Sequence, residues 1–128
     1  VIRPITEDDL PEIFEWFAER KWPMPAIKDI APQTGLLSEI NGVPRACLWF
    51  YLTGKSIAFI EWIATNPEIE QKVQSAGLIE ILSHMQATDD SPVKALCFYT
   101  KNEKLSRLFT RAGFSHQASY HKLLWTKS

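Results

Sequence analysis

The sequence predicts an α/β chain of the α+β kind: a central mixed, mostly antiparallel sheet of six or seven strands flanked by three or four helices. Three observations carry this. Ile57–Ala64 is apolar at both parities apart from Glu61, as expected for a central strand covered on both faces. Asn41-Gly42 stands between two strand-like runs, a strong short-range hairpin signal. Between and beside these runs, Leu10, Ile13, Phe14, Phe17 and Ile69, Val73, Leu78, Ile81, Leu82, Met85 recur at helical spacing.

In chain order, residues 1–5 form a short candidate strand. Asp9-Leu10-Pro11-Glu12 then reads as a helix start, with Asp9 as N-cap, Pro11 in the first turn and Glu12 at the capping-box position. The helix is expected to run to about Arg20 and to stop at Trp22-Pro23-Met24-Pro25, because each proline turns the preceding residue away from helix. A loop, or one short helix, follows to Gln33. Residues 34–39 and 44–52 are the arms of the Asn-Gly hairpin. A second turn at Thr53-Gly54-Lys55 leads antiparallel into residues 56–65, which Asn66-Pro67 ends. After the long helix, Asp89-Asp90-Ser91-Pro92 breaks the pattern and residues 93–100 make a further strand. From Lys101 a last helix places Leu105, Leu108 and Phe109 on one face and stops at Ala112-Gly113. Residues 114–125 close the sheet with one or two strands. No internal repeat or low-complexity tract interrupts the order.

The 128 residues, 45% of them apolar, suit one domain spanning 1–128. A net charge of −1, from 14 basic against 15 acidic residues spread along the chain, argues against nucleic acid as a partner. Cys47 and Cys97 sit in apolar runs without a CxxC or neighbouring histidine, which reads as buried free thiols in a reducing compartment. No apolar run approaches the roughly 20 residues of a membrane span and no signal-peptide pattern is present, so a cytoplasmic protein without membrane contact is expected. His84, His116 and His121 show no metal-ligand spacing, no serine sits in a nucleophile elbow, and phosphate-loop and Rossmann glycine patterns are missing, so no metal is expected.

Taken together, the motifs resemble the GNAT (Gcn5-related N-acetyltransferase) superfamily over nearly the whole chain. Ile2-Arg3-Pro4-Ile5 with Asp8-Asp9-Leu10-Pro11-Glu12-Ile13 resembles its opening strand and helix, and Asn41-Gly42-Val43-Pro44 one of its hairpin turns. Phe59-Ile60-Glu61-Trp62-Ile63 with Asn66-Pro67 resembles its central strand, and residues 102–114, NEKLSRLFTRAGF, its last helix. The set is similar to small GNAT-like proteins encoded by bacteriophages, whose location would be the host cytoplasm.

The resemblance implies an acyl-CoA-dependent N-acyltransferase, with acetyl-CoA as co-substrate and a small-molecule or protein amine as acceptor. Glu61 would be the base, its pKa raised by burial between Phe59 and Ile63; the competing reading is a carboxylate at a strand bend, paired with a base such as Arg45 or left in water. Backbone N–H groups of Ile63 or Ala64 would polarise the thioester. The family's phosphate loop departs from its pattern here. One register places it on residues 70–75, with Glu70 where a basic or amide residue belongs and Val73 where a glycine belongs. A second gives Lys72-x-x-Ser75-x-Gly77. Lys72, Ser75 and Gly77 would then hold the pyrophosphate, unless Lys72 is an ordinary solvated lysine. Asn102 would contact the cofactor or cap its helix. Trp22, Met24 and Trp62 would line the acceptor pocket or belong to the core. Phe109 stands where the family places a proton-donating tyrosine, leaving Tyr99, Tyr120, His116 and His121 as replacements. The alternative is a GNAT-fold binding or structural module without catalysis. Leu123-Leu124-Trp125 either closes the core or meets a second copy in a homodimer.

Overall fold

The computed structural model describes residues 1–23, 34–52, 56–88, 91–116 and 122–127. The expected turn at residues 53–55, the Asp89-Asp90 break and the loop from Met24 to Gln33 lie outside them. Strands β1 (Ile2–Pro4), β2 (Gly35–Ile40), β3 (Val43–Leu52), β4 (Ile57–Thr65), β5 (Ala95–Tyr99), β6 (Ser115–His116) and β7 (Lys122–Thr126) follow the order β1-β2-β3-β4-β5-β7-β6. Two compact units divide the chain: Val1–Trp49 with Trp62–Ile81, and Phe50–Glu61 with Leu82–Ser128.

In the first unit, β1 (Ile2–Pro4), β2 (Gly35–Ile40) and the start of β3 (Val43–Leu52) form an antiparallel ladder, with Arg3 opposite Leu37 and Leu37 opposite Cys47. The hairpin turns where the sequence places it. Asn41 and Gly42 have φ of 52° and 77°, the double left-handed conformation that matches the twist of the arms. A bulge at Ser38/Glu39 shifts the register.

The first helix, α1 (Leu10–Glu19), buries Leu10, Ile13, Trp16 and Phe17 against Ile5, Leu37, Cys47, Trp49 and Ala64. Its start differs from expectation. Asp9 has helical backbone angles and makes no N-cap, and Glu12 is no capping-box partner. A 3-10 turn, Glu7–Asp9, precedes the helix and is itself boxed by Thr6 and Asp9. The Asp9 carboxylate accepts from the Thr6 N–H at 2.7 Å and takes Arg3 in a two-point ion pair at 2.7 and 2.8 Å. With the Thr6 hydroxyl at 3.0 Å, four donors converge on Asp9 and hold its pKa at about 2, the Arg3 hydrogen bond being the largest cause and burial opposing it.

The central strand β4 (Ile57–Thr65) is less enclosed than its apolar run suggests. Ala58, Ile60 and Ala64 are buried, Phe59, Trp62 and Ile63 half-buried, and Ile57 and Glu61 exposed. Trp62 at φ 54° explains the pattern, since a left-handed residue inside a strand changes which face the following side chains meet. The long helix α2 (Gln71–Ala87) buries Leu78, Ile81 and Leu82, as its periodicity predicts, while Ile69 lies ahead of it.

In the second unit, β4 pairs in parallel with β5 (Ala95–Tyr99) through Ile57–Phe59. β5 pairs antiparallel with β7 (Lys122–Thr126), and β7 with β6 (Ser115–His116). The last helix, α3 (Glu103–Arg111), is capped by Asn102, whose side chain accepts from the Leu105 N–H, and stops at Gly113 with φ 97°. Phe109 is fully enclosed, stacked on Phe98 at 4.3 Å and edge-on to Phe114 at 4.9 Å. Both cysteines are free and buried, and burial pushes the Cys47 thiol pKa up. Among the described residues, no helix is long and apolar enough to cross a membrane, and no group of three or more His, Cys, Asp or Glu could hold a metal.

Candidate functional site

Strain marks the place to look. An L-residue in the left-handed region costs about 1–2 kcal/mol, and Trp62 adopts that region in mid-strand. Its ring packs edge-on against Phe17 at 6.3 Å, so α1 holds the kink in place. Just before it stands Glu61, which is exposed rather than buried between Phe59 and Ile63 as expected. The suggested partner Arg45 is engaged elsewhere: it is buried, donates to Ser38 at 3.0 Å and pairs with Glu80 at 3.3 Å. Desolvation raises the Glu80 pKa, but the Ser38 hydroxyl, the Val1 ammonium and the Arg45 charge together outweigh it, for a net lowering.

Beyond the kink the backbone is ordered by its edges. The Asn66 N–H donates to the Arg45 carbonyl on β3 at 2.9 Å. Successive amides of a strand point to opposite edges, so the Ala64 amide faces β3 as well and the Ile63 amide faces away. The backbone N–H of Ala64, a fully buried residue, also donates to the Cys47 thiol. Of the two donors read from the sequence, Ile63 is therefore the one directed away from β3.

The Asn66–Glu70 loop carries none of the family's glycines and is held by side chains instead. Asn66 donates to the Pro44 carbonyl at 2.9 Å and accepts from the Glu68 N–H at 3.0 Å. Gln74 donates to the carbonyls of Asn66, at 2.7 Å, and Ile69, at 3.0 Å. With its carbonyls gathered by Gln74, the loop delivers the N-terminus of α2, where the Val73 and Gln74 amides bond to the Glu70 carbonyl. The amides of Gln71 and Lys72 precede these and, as in any helix, have no acceptor within it, which makes them an anion site in geometry. Lys72 is exposed at the same turn, and so are Glu68 and Glu70, whose charges also suit a helix's positive pole.

Two of the residues read into the phosphate loop sit elsewhere. Ser75 is half-buried in the second turn of α2. Gly77 lies deeper still and faces β3: a Cβ there would stand 2.9 Å from the Arg45 Cβ and 3.3 Å from that of Ala46. The glycine lets helix and strand approach, and the phosphate register that used it does not hold. The structure gives Asn102 its capping role. Trp22 is 41% exposed and lies edge-on to Phe17 at 6.2 Å, while Met24, Tyr120 and His121 lie outside the described residues.

Comparison with solved structures fits this arrangement. Ard1 from Thermoplasma volcanium superposes with a TM-score of 0.76 at 14% identity over 100% of this chain and 97% of that one. The GNAT domain of S. lividans PAT does so at 0.71 and 17% identity, over 98% and 89%. The chain has the GNAT fold. N-acetylglutamate synthase from Neisseria gonorrhoeae, complexed with coenzyme A and L-arginine, matches at 0.72 and 14% identity over 99% of this chain, which spans only 33% of the synthase. The sequence itself matches no protein-family model and no curated protein.

On this GNAT fold one residue of the site escaped the sequence reading. Arg20, just past α1, donates to the Thr65 carbonyl at the end of β4, and its guanidinium lies 4.6 Å over the Trp22 ring. A basic residue two positions before a tryptophan at a helix end was the available signal, but its strand partner is 45 residues away.

Proposed function

We propose that the chain is an acyl-CoA-dependent N-acyltransferase that moves an acetyl group from acetyl-CoA to a primary amine. The observation that carries this reading is the left-handed Trp62 within β4, a strained residue beside an exposed carboxylate and ahead of a helix N-terminus. Such strain persists where surrounding contacts over-determine it, and it clusters at functional sites. In this reading the pyrophosphate of the co-substrate meets the Gln71 and Lys72 amides and the Lys72 ammonium. The Ile63 amide donates to the thioester oxygen. The amine nitrogen attacks the carbonyl carbon, the C–N bond forms and the C–S bond breaks. The amine proton leaves to Glu61, directly or through water, and the thiolate takes a proton from solvent. Trp62 and Trp22 line the acceptor side.

A second reading, a GNAT-fold binding module without catalysis, draws support from Glu68 and Glu70, which bring negative charge where a pyrophosphate would bind. A thermal-shift titration with acetyl-CoA separates the two. A ligand at 100 times its dissociation constant adds about 2.7 kcal/mol of stability, expected here as a rise of several degrees. No rise at millimolar acetyl-CoA would favour the module. Where the rise appears, Glu61→Gln is expected to cut turnover by roughly 10²-fold or more with the shift intact, and undiminished turnover would remove Glu61 as the base.

A further inference from the structure

The acceptor wall carries a cation without a counter-ion among the described residues. Arg20 spends one of its N–H groups on the Thr65 carbonyl and lays its plane over Trp22, and among the described residues no carboxylate lies within ion-pair distance of it. Burial lowers its pKa, with only the neighbouring Glu19 opposing. A guanidinium has five N–H donors in a fixed fork suited to a carboxylate. Among the described residues, most of that fork is unspent.

We infer that Arg20, with Trp22 beside it, is a carboxylate-binding subsite, and that the acceptor is an amine carrying its own carboxylate, as an α-amino acid does. This rests on the acyltransferase reading for the word acceptor, though not for the binding itself. Two observations direct the anion to the acceptor rather than to the phosphates of the co-substrate. Adjacent residues of a strand point to opposite faces. On β3, Cys47 packs with Trp16 and Phe17 of α1, whereas Ala46 lies under Gly77 of α2. The helix whose N-terminus suits pyrophosphate is therefore on one face of β3 and α1, with Arg20 at its end, on the other. Furthermore, Trp22, Phe17 and Trp62 run as a chain of edge-on rings from Arg20 to the kink in β4, with centroids 6.2 and 6.3 Å apart. An acceptor whose carboxylate meets Arg20 thus lies along an aromatic wall leading toward the reacting centre.

The test is calorimetric titration of the full chain, with and without coenzyme A, using α-amino acids each paired with the amine that lacks its carboxylate. The expected result is that at least one amino acid binds about tenfold or more tightly than its partner amine, as a charge-assisted contact predicts. Arg20→Gln should bring the pair within about twofold, Arg20→Lys should keep part of the preference, and acetyl-CoA affinity should be unmoved in both. Circular dichroism and melting of each variant establish that it is folded, and Arg20→Lys carries the comparison if Arg20→Gln is not. Equal binding of every pair, or a preference that survives in Arg20→Gln, overturns the inference. Weakened acetyl-CoA binding in Arg20→Gln also overturns it and assigns the cation to the phosphates. If the wild type binds no acetyl-CoA yet prefers carboxylates through Arg20, the subsite stands and the acyltransferase reading falls.

Discussion

At the scale of single residues, Phe109 shows how far a family pattern can mislead about a side chain's surroundings. The resemblance casts it as a lost proton donor, but its ring is wedged between Phe98 and Phe114 with no exposed surface. A phenolic hydroxyl placed among these rings would be buried away from water, at a cost of about 1–3 kcal/mol when unpaired. Phe109→Tyr is therefore expected to lower the melting temperature by several degrees and to leave turnover no higher. A more active variant with unchanged melting would show that the position reaches the reacting groups. Asp9 carries a similar lesson. The sequence pattern of an acid before Leu-Pro-Glu suggests a helix cap, but the two-point contact with Arg3 draws the carboxylate back toward β1, and Thr6 takes the capping role one turn earlier. Local propensity cannot register a partner on another strand.

At the scale of elements, what could be read depended on whether the controlling contact was local. The Asn-Gly hairpin, the Asn102 cap and the Gly113 stop involve residues within a few positions of one another, and each forms where the pattern places it. The kink at Trp62 was hidden, because a run apolar at both parities does not reveal which face each side chain takes. Gly77 was misplaced for a related reason: its role is set by Arg45 and Ala46, some thirty residues earlier. Two glycine substitutions separate conformation from space. Gly42 has nothing within 4 Å of a built Cβ but a φ of 77°, so Gly42→Ala is expected to cost about 1 kcal/mol through backbone strain alone. Gly77→Ala gains about 1 kcal/mol of helix propensity. Against that, its methyl must displace an Arg45 Cβ whose guanidinium is pinned by Ser38 and Glu80, and such overpacking costs about 1–3 kcal/mol. Net destabilisation in urea is expected, with acetyl-CoA binding unaffected in the folded fraction. A stabilised Gly77→Ala would mean that the helix and β3 are less closely packed.

At the scale of the whole molecule, the charges that matter for stability are few, because 14 basic and 15 acidic residues nearly cancel and long-range repulsion is small. The acid limb of the stability curve then depends on carboxylates with altered pKa. Asp9, held at about 2, and Glu80, also lowered, bind protons less tightly folded than unfolded. Their contribution is fully present above about pH 4, the unfolded value, and is lost as pH falls through the folded one. Glu12 has the opposite sign: burial, aided by the charges of Asp9, Glu68 and Glu15, raises its pKa, so protonation there favours the fold. Asp9 has the larger displacement and is half-buried beside Arg3, whereas Glu12 is the more exposed of the two. The Asp9 contribution, on the order of 2 kcal/mol, should therefore decide the direction. Chemical denaturation is expected to show stability falling between about pH 4 and pH 2, with Asp9→Asn less stable at pH 7 and visibly flatter across that window. An Asp9→Asn curve as steep as the wild type would mean that the Arg3 pair is not what acid breaks.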